Sequence, residues 1–406
     1  MRVKGTSIEE RKLVVYQEDN QSKCLCYDGR KAYKISKELI KQSKKYPLTS
    51  KEIYVKFEKT KETPDIELFY NQFEAITNEL KKITDGKVNL YKTGSYSLSA
   101  LQLFYDLLDD TIPEPEQIEQ READILNAAT IGPLRYARPY TGQGYKYDFI
   151  SRYPAIMAGN NNFPYAAPKK LSITQQEFNE MKTLKYGLYK CKIINNHELF
   201  MANNRTTWYS HDDIIQARKL NLGIEIVEED EFNFLHYHKL ISGKRLFGKF
   251  VNYLFPLKQQ GYKSIKYILN VLWGCLCQTN IVELVMTNSN NAQVYDDDKI
   301  DMILPMQDDS IKLYIPKKHK QFTNNWGRMK VFLLSIARKK LATTLLDYTD
   351  NIVYIHTDGF IINKPFETNE YVKFGNNLGQ LKYEGYCQSI EVKNMAFSSR
   401  NYKWII

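Results

Sequence analysis

Residues 353–362 read VYIHTDGFII, an apolar, β-branched run broken by His356, Thr357, Asp358 and Gly359. The pattern is strand, tight turn, strand, with Gly359 beginning the second strand. A carboxylate between two apolar strands is costly unless something compensates its charge. A turn at the tip of such a pair can instead push Asp358 out of the sheet towards a cleft. The residues around it therefore have to be searched for a partner that shares its task.

Working outward, YKYDFISRYPAIM (145–157) repeats the arrangement: Asp148 follows an aromatic strand, and Tyr153-Pro154 ends it. Two carboxylates on adjacent strands can hold two divalent cations about 3.5–4 Å apart, an arrangement suited to phosphoryl transfer. Mg²⁺ uses few protein carboxylates and completes its shell with substrate phosphates. A third stretch, KYILNVLWG (266–274), puts Lys266, Asn270, Trp273 and Gly274 at i, i+4, i+7 and i+8, one face of a helix. That face offers a cation for a triphosphate, an amide, an aromatic plate and a close-approach glycine. Lys258 lies eight residues earlier and supplies a second cation.

In this order the three stretches resemble the motifs of family B DNA polymerases. The first motif of that family has the form D-x-x-S-L-Y-P, matched by DFISRYP at 148–154. The second, K-x-x-x-N-S-x-Y-G, is matched by KYILNVLWG, and the third, Y-x-D-T-D-S, by YIHTDG at 354–359. The protein-primed branch is the nearest in pattern. Tyr140-Thr-Gly142 resembles its Y-x-G-G element, residues 279–325 stand where it carries a hairpin insertion, and Arg400-Asn-Tyr402 resembles its K-x-Y. The resemblance covers roughly residues 98–406.

It implies an α+β polymerase hand, with Asp148 and Asp358 on an antiparallel palm sheet as catalytic ligands of two Mg²⁺ or Mn²⁺ ions. The Phe149 carbonyl is a further candidate ligand. Tyr153 is expected to exclude a ribose 2′-hydroxyl. Lys266 and Lys258 would hold the triphosphate, Asn270 and Trp273 the nascent base pair. Tyr140, Gly142, Gly274, Arg400 and Tyr402 would contact DNA. The implied partners are a DNA primer–template, dNTPs and a terminal protein primer. The implied reaction is template-directed transfer of a nucleotide to a primer 3′-OH in replication of a linear viral or plasmid-like element. The alternative is a catalytically decayed, polymerase-like DNA-binding protein.

Composition fits such partners. The chain of 406 residues carries a formal charge of +10 and 43% hydrophobic residues, so it is globular and basic. Residues 232–282 contain no Asp or Glu, and their cations alternate with Phe247, Phe250, Tyr253, Phe255, Tyr262, Tyr267 and Trp273. Basic residues among aromatic faces suit phosphates and bases together. The six cysteines form no CxxC and read as reduced thiols of a reducing, intracellular compartment. No run is long enough to span a membrane, so a soluble protein is expected.

The expected organisation is an α+β N-terminal remnant over 1–120, a first palm part over 121–261, a fingers helix over 262–278, a hairpin insertion over 279–326, and a second palm part with primer grip over 327–406. A helix is expected near Ala32–Lys45, others at 61–85, 98–108, 117–129 and 328–346. Asp65-Ile-Glu67 and Tyr105 with Asp109 mimic two exonuclease motifs, but no middle motif stands between them, so no 3′–5′ exonuclease is expected. The sequence ends four residues after Tyr402, where the family continues into a thumb. Five positions depart from the motifs: Arg152 for Leu, Val271 for Ser, Trp273 for Tyr, His356 for Asp and Gly359 for Ser. Arg152 is expected to face the triphosphate or solvent.

Overall fold

A computed structural model describes residues 9–18, 23–45, 51–60, 62, 65–202, 207–229, 231–286, 302–305, 311–317, 321–368 and 372–393. It is a mixed α+β structure whose chain forms two compact units. The first comprises residues 1–110 and 249–275, the second 111–248 and 276–406. Two of the three boundaries fall inside the helices Gly243–Gln259 and Lys263–Leu276, and the third lies between residues 110 and 111.

The first unit contains a four-stranded sheet in the order Ala32–Ser36, Lys23–Tyr27, Lys12–Glu18, Glu52–Lys56. Its last pair is parallel, which requires the crossover through the helix Lys37–Lys45. Strand alternation sorts the side chains. Val14, Tyr16, Cys24 and Cys26 join Ile40 on one face, while Leu13, Val15 and Ile53 join Tyr70 on the other. Burial pushes the Cys26 thiol up to about 12, so it is a packing residue and not a reactive thiolate. The expected helix over Ala32–Lys45 is divided. Ala32–Ser36 pairs as a strand, and Ser36 accepts the Leu39 N–H at the helix start.

Asp65 caps the helix Ile66–Ile83 and Glu67 sits in its first turn, positions that favour acids without any catalytic role. Part of the aromatic-rich basic stretch packs inward, while Tyr267 is exposed and Tyr253, Tyr262 and Trp273 are partly so. Phe247, Phe250 and Phe255 are core residues of the helix Gly243–Gln259, where they follow helical spacing with Leu246, Val251 and Leu254. Aromatics at i, i+3 and i+8 share one apolar stripe of the helix with those aliphatics.

The second unit is built around a five-stranded sheet in the order Leu381–Val392, Tyr140–Phe149, Gly359–Ile362, Ile352–His356, Arg135–Ala137, with every neighbouring pair antiparallel. A second five-stranded sheet runs Trp208–Ser210, Gly187–Ile194, Phe234–His236, Lys169–Leu171, with Gly223–Ile226 also paired to Gly187–Ile194, and is antiparallel too. Residues 279–325 contain the antiparallel strands Ile281–Met286, Ile311–Pro316 and Met302–Pro305.

The helix Met329–Leu345 is buried on almost every side, from Val331 and Phe332 to Leu341 and Leu345. Two arginines anchor it and the turn before it. Arg328 grips Glu122 with Nε–Oε1 and Nη2–Oε2 bonds of 2.7 and 2.8 Å, and Tyr237 donates to the same carboxylate at 3.0 Å. Arg338 takes both oxygens of Asp213 and also donates to the carbonyls of Ile131 and Gly132 at 2.6 and 2.8 Å. No helix among the described residues is long and apolar enough to cross a membrane.

Candidate active site

The strand Tyr140–Phe149 has two unlike faces. Tyr147 and Phe149 are buried in the large core beneath the sheet, with Tyr145 packed partly against it. Alternation therefore turns Lys146 and Asp148 to the opposite face. Asp148 sits in register with Gly359 on one side and with Lys382 on the other. A Cβ at position 359 would lie 3.2 Å from Asp148 Oδ1 and 3.2 Å from the Tyr147 carbonyl. Glycine in place of the motif's serine thus leaves the carboxylate its space.

Asp358 is brought beside Asp148 by backbone pairing. His356 pairs with Gly359, so Thr357 and Asp358 form a two-residue turn. The Phe149 N–H donates to the Asp358 carbonyl at 3.1 Å, and the Thr357 N–H to the Leu134 carbonyl at 3.2 Å. Thr357 has φ 63°, a left-handed value that a β-branched residue rarely adopts. Ser151, three residues after Asp148, has φ 46°. Backbone strain of this kind persists only where surrounding contacts impose it, and it concentrates at functional sites.

Burial pushes the Asp148 carboxyl up to about 6, and the negative charges of Asp358 and Glu384 push the same way. The Lys146 ammonium and the Phe149 N–H pull it down, without offsetting the rest. Glu384 is a third carboxylate that motif reading misses. It lies just past Lys382 on the strand Leu381–Val392 and holds Lys146 at 3.0 Å. Its signal was the acid in KYEG, two residues beyond the position opposite Asp148.

The donors are hard oxygens, which suits Mg²⁺ or Mn²⁺. Among the described residues no group of three or more His, Cys, Asp or Glu forms a closed metal cage. An open pair is what a cation shared with substrate phosphates requires.

Arg152 does not face a triphosphate or solvent. It is 5% exposed, and its guanidinium donates to the carbonyls of Thr357, at 2.5 Å, and Ala337. Those two carbonyls are what allow an arginine inside the fold. Tyr153 is half-buried in the short helix Arg152–Met157, close enough to Asp358 and Arg152 for both charges to act on its hydroxyl. His356 is exposed, with Nδ1 3.3 Å from Thr357 Oγ1.

The other candidates stand on other segments of the chain. Tyr140 and Gly142 belong to the same strand as Asp148, but six or more residues along it, about 20 Å away at the usual rise. A Cβ on Gly142 would stand 2.5 Å from Tyr140 Oη, so a side chain there would displace that ring. Lys266, Asn270 and Gly274 are exposed and Trp273 partly so, whereas Ile265, Ile268, Leu269 and Leu272 behind them are buried. Lys258 ends the helix Gly243–Gln259 with Nζ 5.5 Å from the Phe255 ring centroid. These five residues belong to the first unit, Asp148 and Asp358 to the second. Arg400 and Tyr402 fall outside the described residues.

Solved structures of phi29 DNA polymerase have a similar arrangement. The complex with single-stranded DNA matches with a TM-score of 0.56 at 16% identity, covering 90% of this chain and 68% of that one. The ternary complex with primer–template DNA and incoming nucleotide substrates matches with a TM-score of 0.54 at 17% identity, covering 91% and 69%. The fold resembles that of a DNA polymerase. No family model matches the sequence, and no curated protein does. At these identities the likeness is one of fold, and chemistry has to be argued from the residues.

Proposed function

We propose that this protein is a DNA-directed DNA polymerase of the protein-primed family B type, acting by two-metal nucleotidyl transfer from a dNTP to a primer 3′-OH. One observation carries the reading: two carboxylates from separate motifs meet at one end of an antiparallel sheet, Asp148 on its strand opposite Gly359, and Asp358, whose carbonyl accepts the Phe149 N–H, in the turn just before Gly359. In this reading the five-stranded sheet is the palm, the helix Lys263–Leu276 the fingers, and the strands between 279 and 325 the hairpin insertion.

Asp148 and Asp358, with the Phe149 carbonyl, would hold two Mg²⁺ or Mn²⁺ ions, which would supply activation of the primer hydroxyl and neutralisation of charge on the phosphates. Lys266 and Lys258 bind the triphosphate, while Asn270 and Trp273 line the base pair. Tyr153 closes the space that a ribose 2′-hydroxyl would need. Tyr140, Gly142, Gly274, Arg400 and Tyr402 contact template or primer, and a terminal protein hydroxyl serves as the first primer.

The test is single-nucleotide extension of a primer–template with Mg²⁺ or Mn²⁺, beside Asp148→Ala. Extension that disappears in the variant supports the proposal. Salt-sensitive DNA binding with no extension by the unaltered chain would point to the decayed, binding-only alternative.

A further inference from the structure

We propose that Arg152 is a positioning residue: its buried guanidinium fixes the peptide group before Asp358, opposite the backbone bond that holds the one after it, and so helps to set the spacing of the two carboxylates. The inference rests on the polymerase reading above and goes beyond it, since the related motif has leucine at this position.

The argument starts from the peptide groups that flank the Asp358 Cα. The one before it presents the Thr357 carbonyl, which accepts from Arg152 Nη1 at 2.5 Å. The one after it presents the Asp358 carbonyl, which accepts from the Phe149 N–H at 3.1 Å. Both donors come from residues 149–152, the segment that immediately follows Asp148. Asp358 is thereby tied on both sides to the chain that carries its partner carboxylate. Only one of the two ties is available to a leucine-containing motif, because only one is a backbone bond.

The turn needs such a tie. Thr357 holds φ 63°, which its β-branched side chain disfavours. Left free, this turn would relax and carry Asp358 with it. The second guanidinium bond, to the Ala337 carbonyl, extends the brace to the helix Met329–Leu345, one residue before the Arg338 that clamps Asp213.

The pairing also distinguishes Arg152 from the other buried arginines of this unit. Arg328 and Arg338 each meet a carboxylate in a two-pronged contact. Among the described residues Arg152 has no ion pair, and its bonds go to carbonyls. A buried cation with carbonyl partners is expensive, and a leucine would be cheaper for stability alone. Its placement is accounted for by what it holds: the turn of a metal ligand.

The experiment measures Mn²⁺ binding by the electron paramagnetic resonance signal of free Mn²⁺, without DNA or nucleotide. Unaltered protein is compared with Asp148→Ala, Arg152→Met, Arg152→Lys and the control Arg328→Met, alongside melting temperature and extension kinetics. The expected result is an Asp148-dependent Mn²⁺ affinity that falls at least tenfold in Arg152→Met. In that variant kcat for extension falls at least tenfold while the dNTP KM stays within twofold. Arg152→Lys, which keeps one donor, recovers part of both. Arg328→Met lowers the melting temperature and leaves the Mn²⁺ affinity of the folded fraction unchanged.

A lowered melting temperature with unaltered Mn²⁺ affinity in both Arg152 variants would overturn the inference and make the residue a structural brace only. If Arg152→Met does not fold, Arg152→Lys decides: full Mn²⁺ affinity in it overturns the inference. Mn²⁺ binding without any primer extension by the unaltered chain would instead count against the polymerase reading, leaving the role of Arg152 to be judged on affinity. Absence of Asp148-dependent Mn²⁺ binding in the unaltered chain would overturn both.

Discussion

Two pairs of carboxylates in the second unit are treated in opposite ways. Glu122 and Asp213 lie on helices, almost fully buried, and each is gripped by an arginine through two oxygens. Asp148 and Asp358 lie at the ends of neighbouring strands, and among the described residues neither has an ion-pair partner. Burial and the charges of Asp358 and Glu384 instead act together on Asp148, and Lys146, held by Glu384, does not offset them. A carboxylate compensated inside the protein holds the fold. Carboxylates left uncompensated side by side are destabilising on their own, and a cation from solution is the natural relief.

The sharpest way to break that contrast is Asp358→Asn. Under the proposed two-metal function, losing a cation worth several kcal/mol in the transition state should lower incorporation on the order of a thousandfold or more. Melting temperature should not fall, because the substitution removes repulsion and no ion pair. DNA binding should stay within a few-fold. Full activity in this variant would abolish the distinction between the two kinds of carboxylate.

The complementary change is Arg328→Met. It leaves Glu122 buried without its cation and should cost about 3–5 kcal/mol in urea unfolding, while extension per folded molecule persists. The double change Arg328→Met with Glu122→Met should recover much of that loss, since an apolar pair of similar volume replaces a desolvated ionic one. A double variant as unstable as the single one would mean that the hydrogen bonds of Arg328 to the Glu116 and Gln117 carbonyls matter more than the ion pair.

The legible part of this molecule was the part where chemistry restricts residue choice. Asp148 and Asp358 stand out in sequence because an acid at the end of an apolar strand has no ordinary packing role. Alternation in YKYDF already separated Asp148 from the buried Tyr147 and Phe149. The outward face of Lys266, Asn270 and Gly274 followed from helical spacing alone.

Long-range partners were not legible. Arg152 looks like a surface residue until the carbonyls 205 and 185 residues away are seen to receive it. Glu384 is hidden by distance along the chain and by irregular pairing between Tyr383 and Gly385. The helix Gly243–Gln259 was readable from the spacing of Leu246, Phe247, Phe250, Val251, Leu254 and Phe255. Its run of cations, with no acid among them, drew attention to surface chemistry instead.

A smaller effect concerns selectivity inside the site. Tyr153 shares its short helix with Arg152 and lies near Asp358. If its ring closes the sugar side of the nucleotide pocket, Tyr153→Val should raise ribonucleotide incorporation relative to deoxyribonucleotide by roughly 10–200-fold, the range that a steric contact in a pocket supplies. The measurement is the ratio of kcat/KM for the two nucleotides. An unchanged ratio, with normal deoxyribonucleotide incorporation, would remove Tyr153 from the gate.

Asp28 in the first unit is an intermediate case that tests the rule at its weak end. Its side chain is 5% exposed, but its lysine partner, Lys12, is 49% exposed, and the carboxylate also accepts the N–H groups of Arg30 and Lys31 at 3.1 and 3.0 Å. The Lys12 ammonium and then these turn amides hold its carboxyl well below the usual range. A depressed folded-state pKa means that the stabilisation is complete above the unfolded value of about 4 and fades as pH falls below it towards the folded value. Asp28→Asn should therefore cost about 1 kcal/mol at pH 7, because a neutral amide keeps the turn but loses the charge-assisted bonds. The same change should cost little at pH 2–3, where the carboxylate advantage is fading. Urea unfolding of the first unit at the two pH values measures the difference. An equal loss at both would mean that Asp28 acts through turn geometry alone, and that charge compensation does not reach this half-exposed pair.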